Sequence, residues 1–210
     1  EWSVNEKVAL EVAAGACWAG TRSVATMKHV GLNVAADPFM TLAYLGVGAG
    51  LLIISADDPY CHSSQNEQDS RRYAQFAGIP CLDPRNSQEA KDMAAFAFDL
   101  SERFDIPVML RPTTRVSHSR SDVDLMHRTQ EQGRQKAVDG PRFCKDPARR
   151  VALPIHARPL HTKLLAKQQR IEEALQDTPW NRLHLSDKGG VGIIASGLAS
   201  LYAEEAIEEL

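Results

Sequence analysis

A near-continuous apolar run of strand length, GLLIIS at residues 50–55, constrains the fold of this chain more than any other segment. Such runs suit a parallel sheet that is covered on both faces, because both sides of each strand are then buried. A polar segment, ADDPYCHSSQNEQD, follows at once. The pattern therefore indicates a central strand that ends at a polar edge of an α/β sheet.

Segments on both sides of this run alternate between strand and helix patterns. A loop followed by a helix is predicted over residues 31–45, where Pro38 fits the first helical turn because its missing N–H costs little there. Strands that alternate with helices of this length give a doubly wound, mostly parallel α/β sheet with right-handed crossovers. The other strands are predicted at residues 23–27, 79–82 and 107–111, and the other helices at residues 3–20, 68–77 and 87–104.

The carboxyl ends of the predicted strands are the expected place for a ligand, since sheets of this kind bind ligands there. That rule selects the three segments that follow strands, namely residues 28–33, 57–65 and 112–118. We therefore expect the functional side chains to lie in these segments.

Residues 119–188 differ from the alternating part, because they are rich in Arg, Lys, His and Pro. One helix is predicted near residues 163–175, and the segment is interpreted as a connector that wraps the domain. Residues 189–196 (GGVGIIAS) are predicted to form a strand that opens a further α/β domain, followed by a helix over residues 200–210. The GGVG sequence is a weak phosphate-loop signal, because it lacks both the G-x-G-x-x-G spacing and the Walker lysine.

The composition is that of a globular protein, with 43% apolar and 24% charged residues and a net charge of −3. Both signs are interspersed, so nucleic acid is not an expected partner. The longest apolar stretch, residues 47–56, is interrupted by glycines and is too short to span a bilayer. The four cysteines form no Cys-x-x-Cys pair, which argues against a metal site built from them and favours free thiols.

The two ends of the chain suggest a piece of a longer polypeptide. The first residue is Glu1 rather than Met, and the last, Leu210, falls within a predicted helix. No basic-then-apolar leader opens the chain, which together with the thiols indicates a cytoplasmic protein.

Four stretches of the chain resemble one family, the 2-oxoacid:ferredoxin oxidoreductases, and within it the large (alpha), thiamine-diphosphate-binding subunit of the enzymes that act on indolepyruvate. The most distinctive sequences are TMKHVGLN at residues 26–33 and HSSQNEQD at residues 62–69. The resemblance covers nearly the whole chain and keeps its order. The four stretches are residues 1–38, 54–71, 83–93 and 106–123.

The resemblance implies a thiamine-diphosphate-binding fold. Residues 1–118 would form the domain that holds the aminopyrimidine of the cofactor, without its N-terminal part. Residues 119–188 would be the connector, and residues 189–210 the truncated start of a domain like the transketolase C-terminal domain. Mg²⁺ and [4Fe-4S] clusters would be bound by parts of the full protein outside this chain.

The implied activity is the oxidative decarboxylation of aryl 2-oxoacids, such as indolepyruvate, to acyl-CoA, with electrons passed through iron–sulfur centres to ferredoxin. The implied partners are a beta subunit, ferredoxin, coenzyme A and the aryl 2-oxoacid, in an oligomer. Two alternatives stay open, a related oxidoreductase for another 2-oxoacid and a non-catalytic α/β domain that serves oligomerisation only.

By resemblance, Glu6 in VNEKVALE takes the place of the glutamate that binds and activates thiamine diphosphate. A carboxylate hydrogen-bonded to the pyrimidine ring promotes loss of a proton from the reactive carbon of the cofactor. The residues alone also fit a capping box, Ser3-x-x-Glu6, at the start of the first helix. One carboxylate could not fully serve both roles.

Three polar residues follow the first predicted strand and are candidate site residues. Lys28 could pair with the substrate carboxylate, His29 could move protons during catalysis, and Asn33 could contact the substrate. Alternatively, Lys28 is a solvated loop charge and His29 an ordinary hydrogen-bonding loop residue.

Asp57 stands where, by resemblance, the related pyruvate enzymes have an arginine that contacts the substrate carboxylate. An acidic group cannot bind a carboxylate, so this departure argues against pyruvate as the substrate. Lys28, Arg111 or Arg115 then remain as carboxylate partners, since the planar fork of arginine suits carboxylates. Either arginine could instead pair with the acidic segment ADD or with a neighbouring subunit.

His62, with Cys61 beside it, could suggest a metal ligand or a nucleophile. No second ligand pair has suitable spacing and no partnered base is evident, so no metal is expected. Residues 62–65 are predicted to form a loop at the edge of the site or at a subunit contact.

Overall fold

The computed structural model describes residues 1–125, 143–185 and 191–208, which form four strands and nine helices in these ranges. The strands are β1 (Ser23–Lys28), β2 (Leu51–Ala56), β3 (Cys81–Leu82) and β4 (Val108–Leu110). The helices are α1 (Glu6–Trp18), α2 (His29–Val34), α3 (Ala36–Leu45), α4 (Ser70–Ala77), α5 (Ser87–Phe104), α6 (Thr114–His118), α7 (Pro147–Arg150), α8 (Pro154–Gln176) and α9 (Leu198–Glu208).

The four strands form one parallel sheet in the order β1-β2-β4-β3. Strand β2 lies inside the sheet, where Leu52 pairs with Val24 on one side and with Val108 on the other. Residues 51–53 of this strand are at most 1% exposed. The predicted parallel α/β sheet with a buried central strand is therefore confirmed.

Helix α1 begins one residue after its cap, and the cap is Asn5 rather than Ser3. The Asn5 side chain accepts a hydrogen bond of 2.9 Å from the backbone N–H of Val8, which satisfies one of the free donors of the first turn. The capping box predicted from Ser3 and Glu6 is thus wrong. Glu6 is the first helical residue, and its carboxylate is not needed as a cap.

The direction of α1 places this first turn at the carboxyl edge of the sheet. The helix precedes β1, packs on it and connects to it through residues 19–22, so helix and strand run in opposite directions. Its buried side chains are small apart from Leu10, which allows a close approach to the sheet. The buried residues are Leu10, Ala13, Ala14 and Cys17.

Two of the three segments predicted to follow strands contain short helices. The chain turns into α2 directly after β1, so the loop predicted at the start of residues 31–45 is wrong, while Pro38 does lie in the first turn of α3. Residues 112–118 contain the short helix α6. Gly31 in α2 carries no side chain, which leaves room for the Glu6 side chain described below.

Helix α8 is longer than predicted and belongs to the packed domain. It spans 23 residues and starts at Pro154, whereas a helix was predicted only near residues 163–175. Leu160, Leu164 and Ile171 are buried, and the helix packs on α3. This part of the predicted connector therefore covers one side of the core.

The strand predicted over residues 189–196 is not formed in residues 191–196, and residues 189 and 190 lie outside the described residues. Helix α9 confirms the helix predicted at residues 200–210 and begins two residues earlier, while residues 209 and 210 are likewise not described. This C-terminal segment is held by polar contacts, such as the ion pair of Arg85 with Glu204 at 2.8 Å.

Within these described ranges, none of the helices combines the length and the apolarity that a membrane crossing requires.

Candidate cofactor and substrate site

The carboxyl edge of the sheet brings together most of the residues predicted to carry function. Strand β1 ends at Lys28, β2 is followed by Asp57, and β4 is followed by Arg111. The N-terminus of α1 adds Glu6 to the same edge. Residues 57–66, which follow β2, are called the edge loop below.

The Glu6 side chain lies directly on the backbone of Gly31. A Cβ atom at Gly31 would lie 2.5 Å from Glu6 Cγ and 2.7 Å from Glu6 Oε1, closer than such atoms approach. The side chain is half-buried, and its carboxylate has no hydrogen bond or ion pair with any other described residue. A half-buried carboxylate at the ligand edge is therefore open to a donor on a bound molecule.

Lys28 and His29 both hold the edge loop. Lys28 Nζ donates to the carbonyl of Ser63 at 2.8 Å, and His29 Nε2 lies 3.0 Å from the carbonyl of Asn66. A carbonyl can only accept, so Nε2 donates the hydrogen of this bond. His29 is fully buried, and its Nδ1 has no partner among the described residues. Lys28 remains exposed at the edge.

The side chain of Asp58 accepts hydrogen bonds from other residues of the edge loop. Its carboxylate accepts hydrogen bonds from the backbone N–H groups of His62 (3.2 Å) and Ser63 (2.8 Å) and from the hydroxyls of Ser64 and Thr114 (2.8 Å each). These hydrogen bonds, that of the Ser63 N–H first, hold the pKa of the Asp58 carboxyl well below its usual range. The loop is thereby tied to α6 as well as to β1.

Asp57 and Arg111 form a buried ion pair beneath the edge. Arg111 Nε donates to Asp57 Oδ2 at 2.7 Å, and the side chains of the two residues are 8% and 0% exposed. Ser70 donates to the same carboxylate through its N–H and its hydroxyl. Arg111 was a candidate to bind the substrate carboxylate or to pair with the acidic segment ADD, and in the structure it pairs with Asp57 of that segment. Asp57 is buried, and its carboxylate joins Ser70 of α4 to Arg111 after β4.

The last two predicted residues, Asn33 and Arg115, take no part in the hydrogen bonds described for the edge loop. Asn33 Oδ1 accepts a hydrogen bond of 2.6 Å from the hydroxyl of Tyr73 in α4, so its side chain is engaged with that helix. Arg115 is exposed on α6 and has no ion pair among the described residues. In the part of the chain that the structure describes, Lys28 and Arg115 are thus cations of the carboxyl edge without an ion pair.

Sequence analysis did not single out the residues whose hydrogen bonds hold the edge together, namely Asp58, Ser70 and Thr114. Asp58 is adjacent to Asp57, and nothing in the local sequence distinguishes the carboxylate that holds the loop from the one that meets Arg111. Thr114 and Ser70 contribute single hydroxyls from helix starts, which leave no distinctive pattern.

The parallel sheet and its edge have the architecture of an α/β cofactor-binding domain. Residues 4–177 match the family described as pyruvate flavodoxin/ferredoxin oxidoreductase, thiamine diP-binding. The chain belongs to this family, and the resemblance drawn from its motifs is confirmed. The match continues through α8, in agreement with the packing of that helix on the domain.

The most similar relatives share one name. Indolepyruvate oxidoreductase subunit IorA from Pyrococcus abyssi is 49% identical over 209 residues, which is 99% of this chain and 32% of the relative. The subunit of the same name from Archaeoglobus fulgidus is 47% identical over 212 residues, which is 100% of this chain and 33% of the relative. The chain thus spans about a third of the length of these relatives.

A solved structure shows the same fold. It is a 2-oxoglutarate:ferredoxin oxidoreductase from Magnetococcus marinus with 2-oxoglutarate, coenzyme A and succinyl-CoA bound. The TM-score is 0.63 at 13% sequence identity, and the match covers 99% of this chain and 42% of that chain.

Proposed function

We propose that the protein to which this chain belongs oxidatively decarboxylates aryl 2-oxoacids, indolepyruvate among them, to acyl-CoA with thiamine diphosphate as cofactor. The observation that carries the proposal is the Glu6 carboxylate, which is half-buried on Gly31 at the carboxyl edge and has no partner among the described residues. The name shared by relatives that match 99–100% of the chain supports the choice of substrate.

The residues at the edge fit the pyrimidine end of this cofactor. Glu6 would accept a hydrogen bond from the pyrimidine ring, and Gly31 leaves the carboxylate room to do so. When bound, thiamine diphosphate supplies a carbon nucleophile for the keto group and stabilises the negative charge left by decarboxylation. Glu6 holds the proton on the ring nitrogen, which favours the form of the cofactor that can lose its carbon-bound proton.

The substrate carboxylate would be bound by Lys28, with Arg115 as the second cation of the edge. Arg111 is a weaker candidate, because its guanidinium already contacts Asp57 and Asp83. His29 would act from its Nδ1, the nitrogen that the Asn66 carbonyl leaves free to accept a proton. Asn33 and Asp57 would act through α4 and through Arg111 rather than by direct contact.

The rest of the proposed enzyme involves other parts of the protein. Mg²⁺ and [4Fe-4S] clusters would be held outside this chain, and electrons would pass through the clusters to ferredoxin. Coenzyme A would accept the acyl group, and a beta subunit would complete a cytoplasmic oligomer. Residues 1–118 would form the pyrimidine-binding domain together with helix α8, which lies within the connector of residues 119–188 and packs on the core, and residues 189–210 would open the next domain.

The test is the variant Glu6→Gln in the complete enzyme. An amide accepts a hydrogen bond but cannot hold the ring proton, so we expect turnover of indolepyruvate to fall by roughly two to four orders of magnitude while the fold is retained. Glu11→Gln is the matched control on the exposed face of the same helix, and it should leave turnover unchanged. A Glu6→Gln enzyme with the wild-type rate would refute the proposed role.

A further inference from the structure

The tip of the edge loop, residues 60–62, presents the rings of Tyr60 and His62 at the carboxyl edge. Tyr60 is 83% exposed, and its ring centroid lies 5.7 Å from that of His62 at an angle of 57°. Both side chains are exposed although they belong to a loop with a well-defined hydrogen-bond network. The ring of Tyr60 is thus largely exposed, and its aromatic contact among the described residues is with His62.

The backbone at this tip is held in an unfavourable conformation. Tyr60 and Cys61 have φ values of 67° and 49°, in the left-handed region that favours glycine. The Tyr60 N–H donates to Glu67 Oε2 at 2.9 Å, and the Cys61 N–H donates to the carbonyl of Asp58 at 3.0 Å. Strain of this kind persists only where the surroundings impose it, and it concentrates at sites that contact ligands.

The loop that carries this tip is anchored on residues close in sequence to Gly31, the residue that Glu6 contacts. Lys28 and His29 hold the loop through the carbonyls of Ser63 and Asn66, and Gly31, against which Glu6 lies, follows His29 by two residues. The tip and the carboxylate are thus attached to the same end of β1. A molecule large enough to reach from one to the other would contact both.

We propose that Tyr60, with His62 beside it, forms the wall that contacts the aromatic ring of the substrate. This inference rests on the proposed function and names the residue that selects aryl over short aliphatic 2-oxoacids at that site. An indole or phenyl ring gains edge-to-face or offset-stacked contact with Tyr60, whereas the methyl group of pyruvate gains almost none. The hydrogen-bonded backbone of the loop fixes where the tyrosine is attached before the substrate arrives, so the loop itself need not be ordered on binding.

The experiment compares Tyr60→Ala and Tyr60→Phe in the complete enzyme, with indolepyruvate and 2-oxobutyrate as substrates. For Tyr60→Ala we expect the KM for indolepyruvate to rise about tenfold with little change in kcat, and the preference for indolepyruvate over 2-oxobutyrate to fall by a similar factor. Tyr60→Phe keeps the ring and should stay within about twofold of the wild type. Phe76→Ala is the matched control, since Phe76 is an equally exposed aromatic residue (84%) on α4.

Three results would overturn the inference. The first is an unchanged KM for indolepyruvate in Tyr60→Ala, which would assign the tip to a contact with another subunit. The second is an equal loss for both substrates, which would mean that the tyrosine only maintains the loop. The third is an equal shift of substrate preference in Phe76→Ala. If the wild-type enzyme does not use indolepyruvate at all, the proposed function itself fails, and that result is distinct from the others.

Discussion

A glycine determines where the Glu6 side chain can lie. Gly31 is the third residue of α2, and its missing Cβ is the space that the Glu6 side chain occupies. The carboxylate is the flexible end of its side chain, so a methyl group at Gly31 could displace it without breaking the helix. The position of Glu6 can therefore be separated from the stability of the fold.

We predict that Gly31→Ala lowers the turnover of the complete enzyme at least tenfold while the free energy of unfolding changes by less than about 1 kcal/mol, since alanine also favours the helix. Gly15→Ala is the control, because a Cβ at Gly15 in α1 meets no atom within 4 Å. It should stabilise the protein by about 0.5–1 kcal/mol without changing turnover. Wild-type turnover in Gly31→Ala would show that the contact with Gly31 does not position Glu6.

The ion pair between Asp57 and Arg111 is buried, so removing one partner leaves the other charge without compensation. Arg111→Met should destabilise the protein by about 3–5 kcal/mol, because it leaves buried carboxylates without a countercharge. Adding Asp57→Asn to this variant should recover part of the loss, which a double-mutant cycle in urea measures. Arg71→Met is the control, as Arg71 is 43% exposed, and it should cost at most about 1 kcal/mol. Full stability in Arg111→Met, with loss of substrate binding, would instead make Arg111 a ligand contact.

The candidate site could be predicted from the sequence only where a residue type has one dominant use at its position. The role of Glu6 was predicted from the family resemblance and stays a prediction, while the cap of α1 was misassigned because Ser3 and Asn5, two residues apart, are both good caps. Asp57 and Asp58 are chemically identical neighbours whose roles differ because one points under the sheet edge and the other into the loop. Such a difference depends on side-chain direction, which local sequence does not encode.

Among the elements, the edge loop contains an ionised group that accepts four hydrogen bonds, the Asp58 carboxylate. The pKa of Asp58 is lower in the folded protein than its ordinary value of 3.8. The ionised form therefore favours folding, and this contribution is complete above the unfolded pKa and is lost as the pH falls through the folded pKa.

We predict that Asp58→Asn is less stable than the wild type by a difference that is constant above about pH 5 and shrinks as the pH falls below the ordinary aspartate pKa. Asparagine has one accepting oxygen where the carboxylate has two, so it cannot serve all four donors. Urea unfolding of both proteins from pH 7 to pH 2 measures the difference. The exposed Asp99 provides the control, and Asp99→Asn should show only a small difference. A stability gap that widens in acid would contradict this prediction.

Helices and strands could be predicted where burial follows a simple period. Helix α5 has the predicted bounds, and the strands agree within a few residues. Strand β3 is shorter than predicted because the N–H of Ile79 still bonds to Ala74 of the preceding helix. Helix α8 was underestimated because Pro154 and Pro159 suggest a connector. Burial of the face that contains Leu160 outweighs the missing hydrogen bond of Pro159.

At the scale of the whole molecule, the core extends beyond the residues first assigned to the domain. Leu164 on α8 is 4% exposed and belongs to the same apolar cluster as the central strand. We predict that Leu164→Ala costs about 2–5 kcal/mol of unfolding free energy, measured in urea. Leu165→Ala, on the exposed face of the same helix (54%), should stay within about 0.5 kcal/mol of the wild type. Equal effects of the two variants would mean that α8 is not docked.

The proposed role of Glu6 is to promote the loss of one proton from thiamine diphosphate, and hydrogen–deuterium exchange at the reactive carbon of the bound cofactor measures that loss directly. In the complete enzyme with the cofactor and no substrate, we predict rapid exchange for the wild type and for Glu11→Gln, and exchange at least about a hundredfold slower for Glu6→Gln. Quenched-flow mixing with D₂O followed by NMR of the released cofactor gives the rates. Equal exchange rates in the wild type and in Glu6→Gln would contradict the assignment of Glu6 as the activating carboxylate.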